Sequence, residues 1–264
     1  MNLADIFSDT KKFYTTNKDL VSACEYSRQN QKFVAADEKI SCNRLRFSTA
    51  ANIVISKKRT FEAAEQYAKK GERVCVLNFA NSYQPGGGVV EGARAQEECL
   101  CRVSTLYNAI ATKEMYEAFY LPHIEASDDL ANDDIIFTPK VTVFKSDTSE
   151  PALRPESEWF YADVITCAAP CLYRNESLGG DMLFNLHESR ARHILDVACK
   201  NNADTVILGA FGCGAFFNPP EIVASAYKNV ISDYSKAFKT IEFAIFCTDK
   251  ESFNYTVFKS ILNQ

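Results

Sequence analysis

From about residue 50 onward, short apolar runs alternate with longer stretches in which apolar positions recur every three or four residues. The first pattern predicts strands and the second amphipathic helices. Residues 52–56 (NIVIS) read as a short strand. Thr60 can cap a helix that runs to Lys70 and stops at Gly71. Residues 73–79 (RVCVLNF) are largely apolar, as expected of a strand covered on both faces. After a glycine-rich loop, a helix is expected over 96–109. Short strands follow near 135–137 and 141–144, then a buried strand at 163–167 (DVITC) and a helix over 181–201. The strand 205–209 (TVILG) leads through a second glycine loop into a helix opened by Pro219 and Pro220. Residues 242–246 (EFAIF) give the last strand and 251–262 the last helix.

Strands alternating with helices predict a layered α/β fold with a mainly parallel sheet. Residues 1–45 lack this rhythm. They read as helical and polar, with Leu20, Val21, Cys24 and Tyr26 scattered among them. They are expected to form an N-terminal extension packed on a main domain of residues 46–264. The acidic run Asp128–Asp134 is expected to be a solvated loop.

Composition narrows the class. The chain has 264 residues, 47% hydrophobic and 24% charged, ordinary globular values that exclude disordered and collagen-like chains. No apolar run reaches the roughly 18 residues of a membrane helix. Lys and Arg number 29 against 34 Asp and Glu, a net charge of -5. That argues against a duplex nucleic-acid footprint, which needs a basic excess. It leaves room for a phosphate held by backbone amides. Ten cysteines are too few for a disulfide scaffold of this length, and MNLADIFSDT does not read as a secretory signal. A cytoplasmic protein with free thiols is expected. Cys99/Cys101 and Cys167/Cys171 lack a second matched pair, and His123, His187 and His193 are not spaced as ligands. No metal is expected.

In parallel α/β sheets, ligands sit beyond the carboxyl ends of the strands, and both glycine loops fall there. Residues 209–220 read GAFGCGAFFNPP. Successive amides in such a turn form an anion nest, and the following helix adds its N-terminus. A diphosphate can thus be held at Gly212, Cys213, Gly214 and Ala215 without Lys or Arg. Phe217 breaks the dinucleotide pattern GxGxxG, and no GxxxxGK[ST] run exists. The plain alternative is a tight strand–helix turn. Phe216 or Phe217 could pack a sugar or fill the core.

The first loop carries Asn81, a candidate for ribose hydroxyls, and Gly86, Gly87 and Gly88, where a ligand can meet bare backbone. After seven intervening residues come Gln96, Glu97 and Glu98, opening a helix. Two glutamates in a first turn are favoured by the helix dipole alone. Their place on the rim of the phosphate loop offers a second reason. Adjacent helical residues point about 100° apart, so the pair cannot flank a glycosidic bond from opposite faces as ordinary glycosidase carboxylates do. A division of labour fits better: one carboxylate anchors ribose hydroxyls, the other protonates a leaving oxygen.

GGG, seven residues, then QEE resembles the signature of poly(ADP-ribose) glycohydrolases. The segments FANSYQPGGG, FTPKVTVFK, DVITCAAP and VILGAFGCGAFFNPP fall in the order of the family's bacterial-type branch. The resemblance spans roughly residues 50–250, and residues 1–45 fit the family's extension loosely. It implies a macrodomain-like three-layer fold with a mixed, mainly parallel sheet and an N-terminal helical extension. It implies exo-hydrolysis of ribose–ribose O-glycosidic bonds in poly(ADP-ribose), with ADP-ribose as product ligand and no cofactor. Glu98 is then the catalytic acid and base, and Glu97 holds ribose hydroxyls. Asn81 and Gly86–Gly88 lie at the distal ribose and diphosphate beside Gln96. Gly212–Ala215 wrap the diphosphate, and Phe216 presses on the terminal ribose. Cys171, within CAAPCLYRN, stands where the family has Asn, and Phe253 and Tyr255 are candidates for the adenine. Two other readings keep the cleft: removal of single ADP-ribose units from protein or nucleic acid, and ADP-ribose binding without cleavage.

Overall fold

The computed structural model describes residues 2–173, 178–248 and 250–263. Its helices are α1 (Leu3–Thr16), α2 (Lys18–Asn30), α3 (Thr60–Ala68), α4 (Gln96–Val103), α5 (Leu106–Ile110), α6 (Lys113–Met115), α7 (Leu121–Ala126), α8 (Gly180–Lys200), α9 (Pro220–Ile231) and α10 (Phe253–Leu262). The strands are β1 (Lys32–Val34), β2 (Asn52–Ser56), β3 (Val74–Ala80), β4 (Ile135–Val143), β5 (Phe160–Ala168), β6 (Thr205–Leu208) and β7 (Thr240–Ala244). They form one sheet in the order β1-β4-β5-β3-β6-β7-β2. From β5 to β2 all neighbours are parallel; β4 runs antiparallel to β5, and β1 antiparallel to β4.

The two-residue period of a strand divides its side chains between two cores. Cys75 and Leu77 of β3, with Val206 and Leu208 of β6, face Ile194, Leu195, Val223, Tyr227 and Phe258 from α8, α9 and α10. Val74 and Val76, with Ile207, face Phe61, Ala64, Leu100, Val103 and Leu106 from α3, α4 and α5. Helices thus cover both faces of a mixed, mainly parallel sheet, the three-layer α/β arrangement expected from the sequence. Phe7 of α1 belongs to the second core. Its ring meets Tyr107 edge-on at 4.9 Å, and Thr10 donates to the Arg102 carbonyl at 2.6 Å. All ten cysteines are unpaired. Among the described residues, no helix is long and apolar enough to cross a membrane.

Several elements differ from their sequence expectation. The two short strands around residue 139 are one strand, β4, with an irregularity between Thr138 and Val141. Pro139 cannot donate to a ladder, and Lys140, at φ 52°, turns its amide to Asp163 Oδ1 at 2.9 Å. The helix expected over 96–109 breaks at Ser104, whose hydroxyl bonds the Leu100 carbonyl and accepts from the Leu106 amide. Thr105 N–H goes instead to the Thr142 carbonyl. The strand β1 and the helical run from α6 through a π-helical turn at Tyr116–Tyr120 to α7 were not anticipated. The acidic run is more than a solvated loop. Asp134 accepts from the Ala36 amide at 2.7 Å. Asp133 pairs at 2.9 Å with Arg190, a buried guanidinium that also donates to the Leu130 and Ala168 carbonyls.

Candidate active site

The segments that follow β3, β5, β6 and β7 leave the sheet at one rim. Gln96 fixes where α4 begins there. Its Oε1 accepts from the Phe79 amide at 2.9 Å, and its Nε2 donates to the Leu77 carbonyl at 2.7 Å and to Thr60 Oγ1 at 3.1 Å. This splice to the end of β3 sets the position of the next two residues.

Glu97 and Glu98 are only 2% and 7% exposed. Glu97 is tied by both oxygens: Asn78 Nδ2 donates to Oε1 at 3.1 Å and the Asn81 amide to Oε2 at 2.8 Å. Burial pushes its carboxyl up to about 8, opposed by those two bonds and the Gly86 amide and reinforced by the charge of Glu98. In the unfolded chain the same group ionises near 4.5. Between the two values unfolding releases a proton, so stability falls as pH rises from about 4.5 to about 8 and levels off above. The variant Glu97→Gln lacks this ionisation. Its melting temperature should gain on the parent's across that window by a few degrees; a constant difference from pH 4.5 to 8 would contradict the buried acid.

Glu98 is held differently. The Gly88 amide donates to Oε1 at 2.9 Å, while Oε2 is buried with no partner among the described residues. Gly87 lies between the carboxyl groups at φ +54°, and a Cβ there would stand 2.4 Å from Glu98 Oε1 and 3.4 Å from Glu97 Oε2. The two side chains leave the helix in different directions yet converge on one backbone position, which must be glycine. The first glycine loop therefore clears space for carboxylates and turns the Gly88 amide toward Glu98. Asn81 shapes the same loop, its Oδ1 accepting from the amides of Tyr83 and Gln84.

The second loop is open where the first is filled. The amides of Gly212, Gly214, Ala215 and Phe216 have no acceptor among the described residues, whereas Cys213 N–H is turned inward to the Ala210 carbonyl at 3.1 Å. Asn218 holds this shape: its Nδ2 donates to the carbonyls of Pro170 at 2.7 Å, Gly212 at 3.0 Å and Phe216 at 3.3 Å. Gly212, at φ +77°, has no room for a side chain, because a Cβ would lie 2.5 Å from Asn218 Nδ2. His187 completes the support. Burial pushes its pKa down to about 4, and the neutral ring donates from Nε2 to Asn218 Oδ1 at 2.8 Å. Sequence reading passed over Asn218 and His187; the Asn between a glycine loop and Pro219-Pro220 was the available signal.

A hollow of about 300 Å³ lies between the start of α4 and the second loop, with Gln96 and Cys99 on one wall and Gly212, Gly214, Ala215 and Phe216 on another; Glu97, Glu98 and Gly86–Gly88 are not part of its lining. Its far end holds an aromatic–cation pair, the Arg59 guanidinium 3.9 Å above the ring of Phe246. Phe246 was read as the last residue of the final strand, but β7 ends at Ala244, which frees it to line the hollow. Of the residues expected near an adenine, Phe253 is exposed outside the hollow, and Tyr255 packs against the core with Lys57 Nζ 5.3 Å from its ring. Cys171 donates its amide to the Asp129 carbonyl at 2.7 Å. Arg174 and Asn175 of the CAAPCLYRN stretch lie outside the described residues.

The family model "Microbial-type PARG, catalytic domain" matches residues 7–146, more than half of the chain. No curated protein sequence matches. Among solved structures, poly(ADP-ribose) glycohydrolase (PARG) from Thermomonospora curvata is 23% identical with a TM-score of 0.86, over 98% of each chain. The same organism's enzyme bound to the inhibitor ADP-HPD is 24% identical with a TM-score of 0.83. The enzyme from Deinococcus radiodurans in complex with ADP-ribose is 26% identical with a TM-score of 0.79, over 91% of this chain and 97% of that one.

Proposed function

The chain belongs to the microbial-type poly(ADP-ribose) glycohydrolase family, and on that premise we propose that it releases ADP-ribose from chain ends, with Glu98 as the proton donor. The observation that carries this reading is the contrast between the two glutamates. Glu97 has both oxygens tied. Glu98 has one oxygen fixed by the Gly88 amide and the other without a partner. A buried carboxyl oxygen in that state is costly unless a ligand group completes it.

The terminal unit enters with its diphosphate on the open amides of Gly212, Gly214, Ala215 and Phe216, and its distal ribose beside Glu97 and Glu98. Glu98 gives its proton to O2′ of the next unit as the C1″–O2′ bond breaks, and the diphosphate stabilises the positive charge developing on the ribose. Water then bonds to C1″ and returns a proton to Glu98. Glu97 keeps the sugar hydroxyls in register.

The adenine of that unit extends into the hollow toward Phe246 and Arg59. Stacking of a base on an aromatic ring contributes about 1–3 kcal/mol, so Phe246→Ala should weaken ADP-ribose binding roughly tenfold or more by calorimetry. Unchanged affinity would place the base elsewhere. The reading as a whole is tested by incubating the protein with poly(ADP-ribose) and, in parallel, with a protein carrying single ADP-ribose units. Monomeric ADP-ribose released from the polymer alone supports chain-end hydrolysis. Release from the singly modified protein alone would overturn it.

A further inference from the structure

We propose that Phe217 and Tyr173 form a stacking platform for the purine of the leaving polymer unit, on the opposite side of the cleaved bond from the terminal unit; this rests on the glycohydrolase reading. Both rings are open to solvent, Phe217 at 62% and Tyr173 at 70% exposure. They lie against each other with centroids 6.1 Å apart and planes inclined by 33°. Isolated exposed aromatics are common; two in contact beside the second glycine loop form a surface.

The backbone holds Phe217 there. Its φ is +59°, a conformation bulky residues rarely adopt and one that accompanies function when the surroundings enforce it. Here the Phe217 amide is bonded to the Gly214 carbonyl at 3.0 Å and the Asn218 amide to the Gly212 carbonyl at 3.0 Å. As a result Phe216 packs inward against the core and lines the hollow, while its neighbour faces water. The Leu172 amide donates to the Phe216 carbonyl at 3.0 Å, which brings Tyr173 to the same place.

Strand order gives the platform its direction. Phe246 follows β7, and Arg59 lies between β2 and α3, so the proposed adenine end of the hollow is at the β7–β2 side of the sheet. Glu97 is bonded to residues of β3 and its exit. Tyr173 follows β5, on the other side of β3, and reaches Phe217, which follows β6, so the pair spans the two sides. A terminal unit lying from β7 toward β3 must send the rest of the polymer toward β5. The chemistry of the linkage then supplies the occupant. The leaving oxygen is O2′ of an adenosine, so a purine stands on the sugar whose bond is cut. An exposed pair of rings accepts any such base face without hydrogen-bond readout.

The test compares the parent with the double variant Phe217→Ala/Tyr173→Ala. KM for poly(ADP-ribose) should rise about tenfold, with the Kd for free ADP-ribose, which has no second purine, unchanged by calorimetry. Phe217→Trp should retain the parent's KM. An unchanged KM in the double variant overturns the platform. So does an equal loss of affinity for free ADP-ribose, since the rings would then only brace the diphosphate loop. A parent protein that binds ADP-ribose but releases none from polymer would refute the hydrolase reading itself, an outcome visible before any variant is made.

Discussion

Glu98→Gln is expected to slow ADP-ribose release from polymer by about three orders of magnitude, near the middle of the range for loss of a general acid and base. The substitution is nearly isosteric. A glutamine Oε1 can still accept from the Gly88 amide, as Glu98 Oε1 does at 2.9 Å, so the loop should keep its shape. What is lost is the proton. On the proposed reading the diphosphate of ADP-ribose sits on the amides of Gly212, Gly214, Ala215 and Phe216, which Glu98 does not touch, so its Kd should stay near the parent's value. Single-turnover release of ADP-ribose, measured alongside calorimetry, separates the two effects. Turnover within a few-fold of the parent would remove Glu98 from the chemistry. Glu97 is the neighbouring rival for the role, and burial does push its carboxyl up to about 8. Its oxygens, however, are engaged by Asn78 and Asn81, and a donor needs an oxygen that can turn to the leaving group. Should Glu97→Gln prove inactive and Glu98→Gln active, the assignment reverses.

The order of elements was legible because parallel strands buried on both faces leave continuous apolar runs, as in β3 and β5. The candidate site residues stood out because glycine triplets and paired glutamates are uncommon and fall after strands. The missed features have a shared physical cause: each depends on a partner far away in sequence. Phe246 was hidden by a strand end that depends on β7 pairing with β2 and β6. Asn218 and His187 are 31 residues apart, and neither has a local pattern announcing the bond. The irregularity in β4 follows from Asp163, 23 residues beyond Lys140. The first glycine loop has a second duty hidden for the same reason. Three glycines announce that something comes close to the backbone; at Gly87 the groups that do so are the chain's own carboxylates, Glu98 and Glu97.

That last point yields the sharpest structural prediction. Gly87→Ala should lower kcat by about 10²-fold, the cost of misplacing a reacting group by roughly an ångström, with little change in ADP-ribose affinity. Two effects contribute, and a second glycine separates them. An alanine at φ +54° carries a left-handed backbone penalty of roughly 1–2 kcal/mol. Gly71, at φ +82°, would carry the same kind of penalty, but nothing lies within 4 Å of a Cβ there. Gly71→Ala should therefore lower the melting temperature and leave kcat intact. At Gly87 the new methyl would also stand 2.4 Å from Glu98 Oε1, closer than any real contact allows. The carboxyl must swing away, giving up its bond to the Gly88 amide. If both alanines cost similar stability and only Gly87→Ala silences turnover, the glycine is there to seat the acid. If Gly87→Ala turns over normally, Glu98 can move without consequence, and the fixed carboxyl on which the mechanism depends is not what does the work.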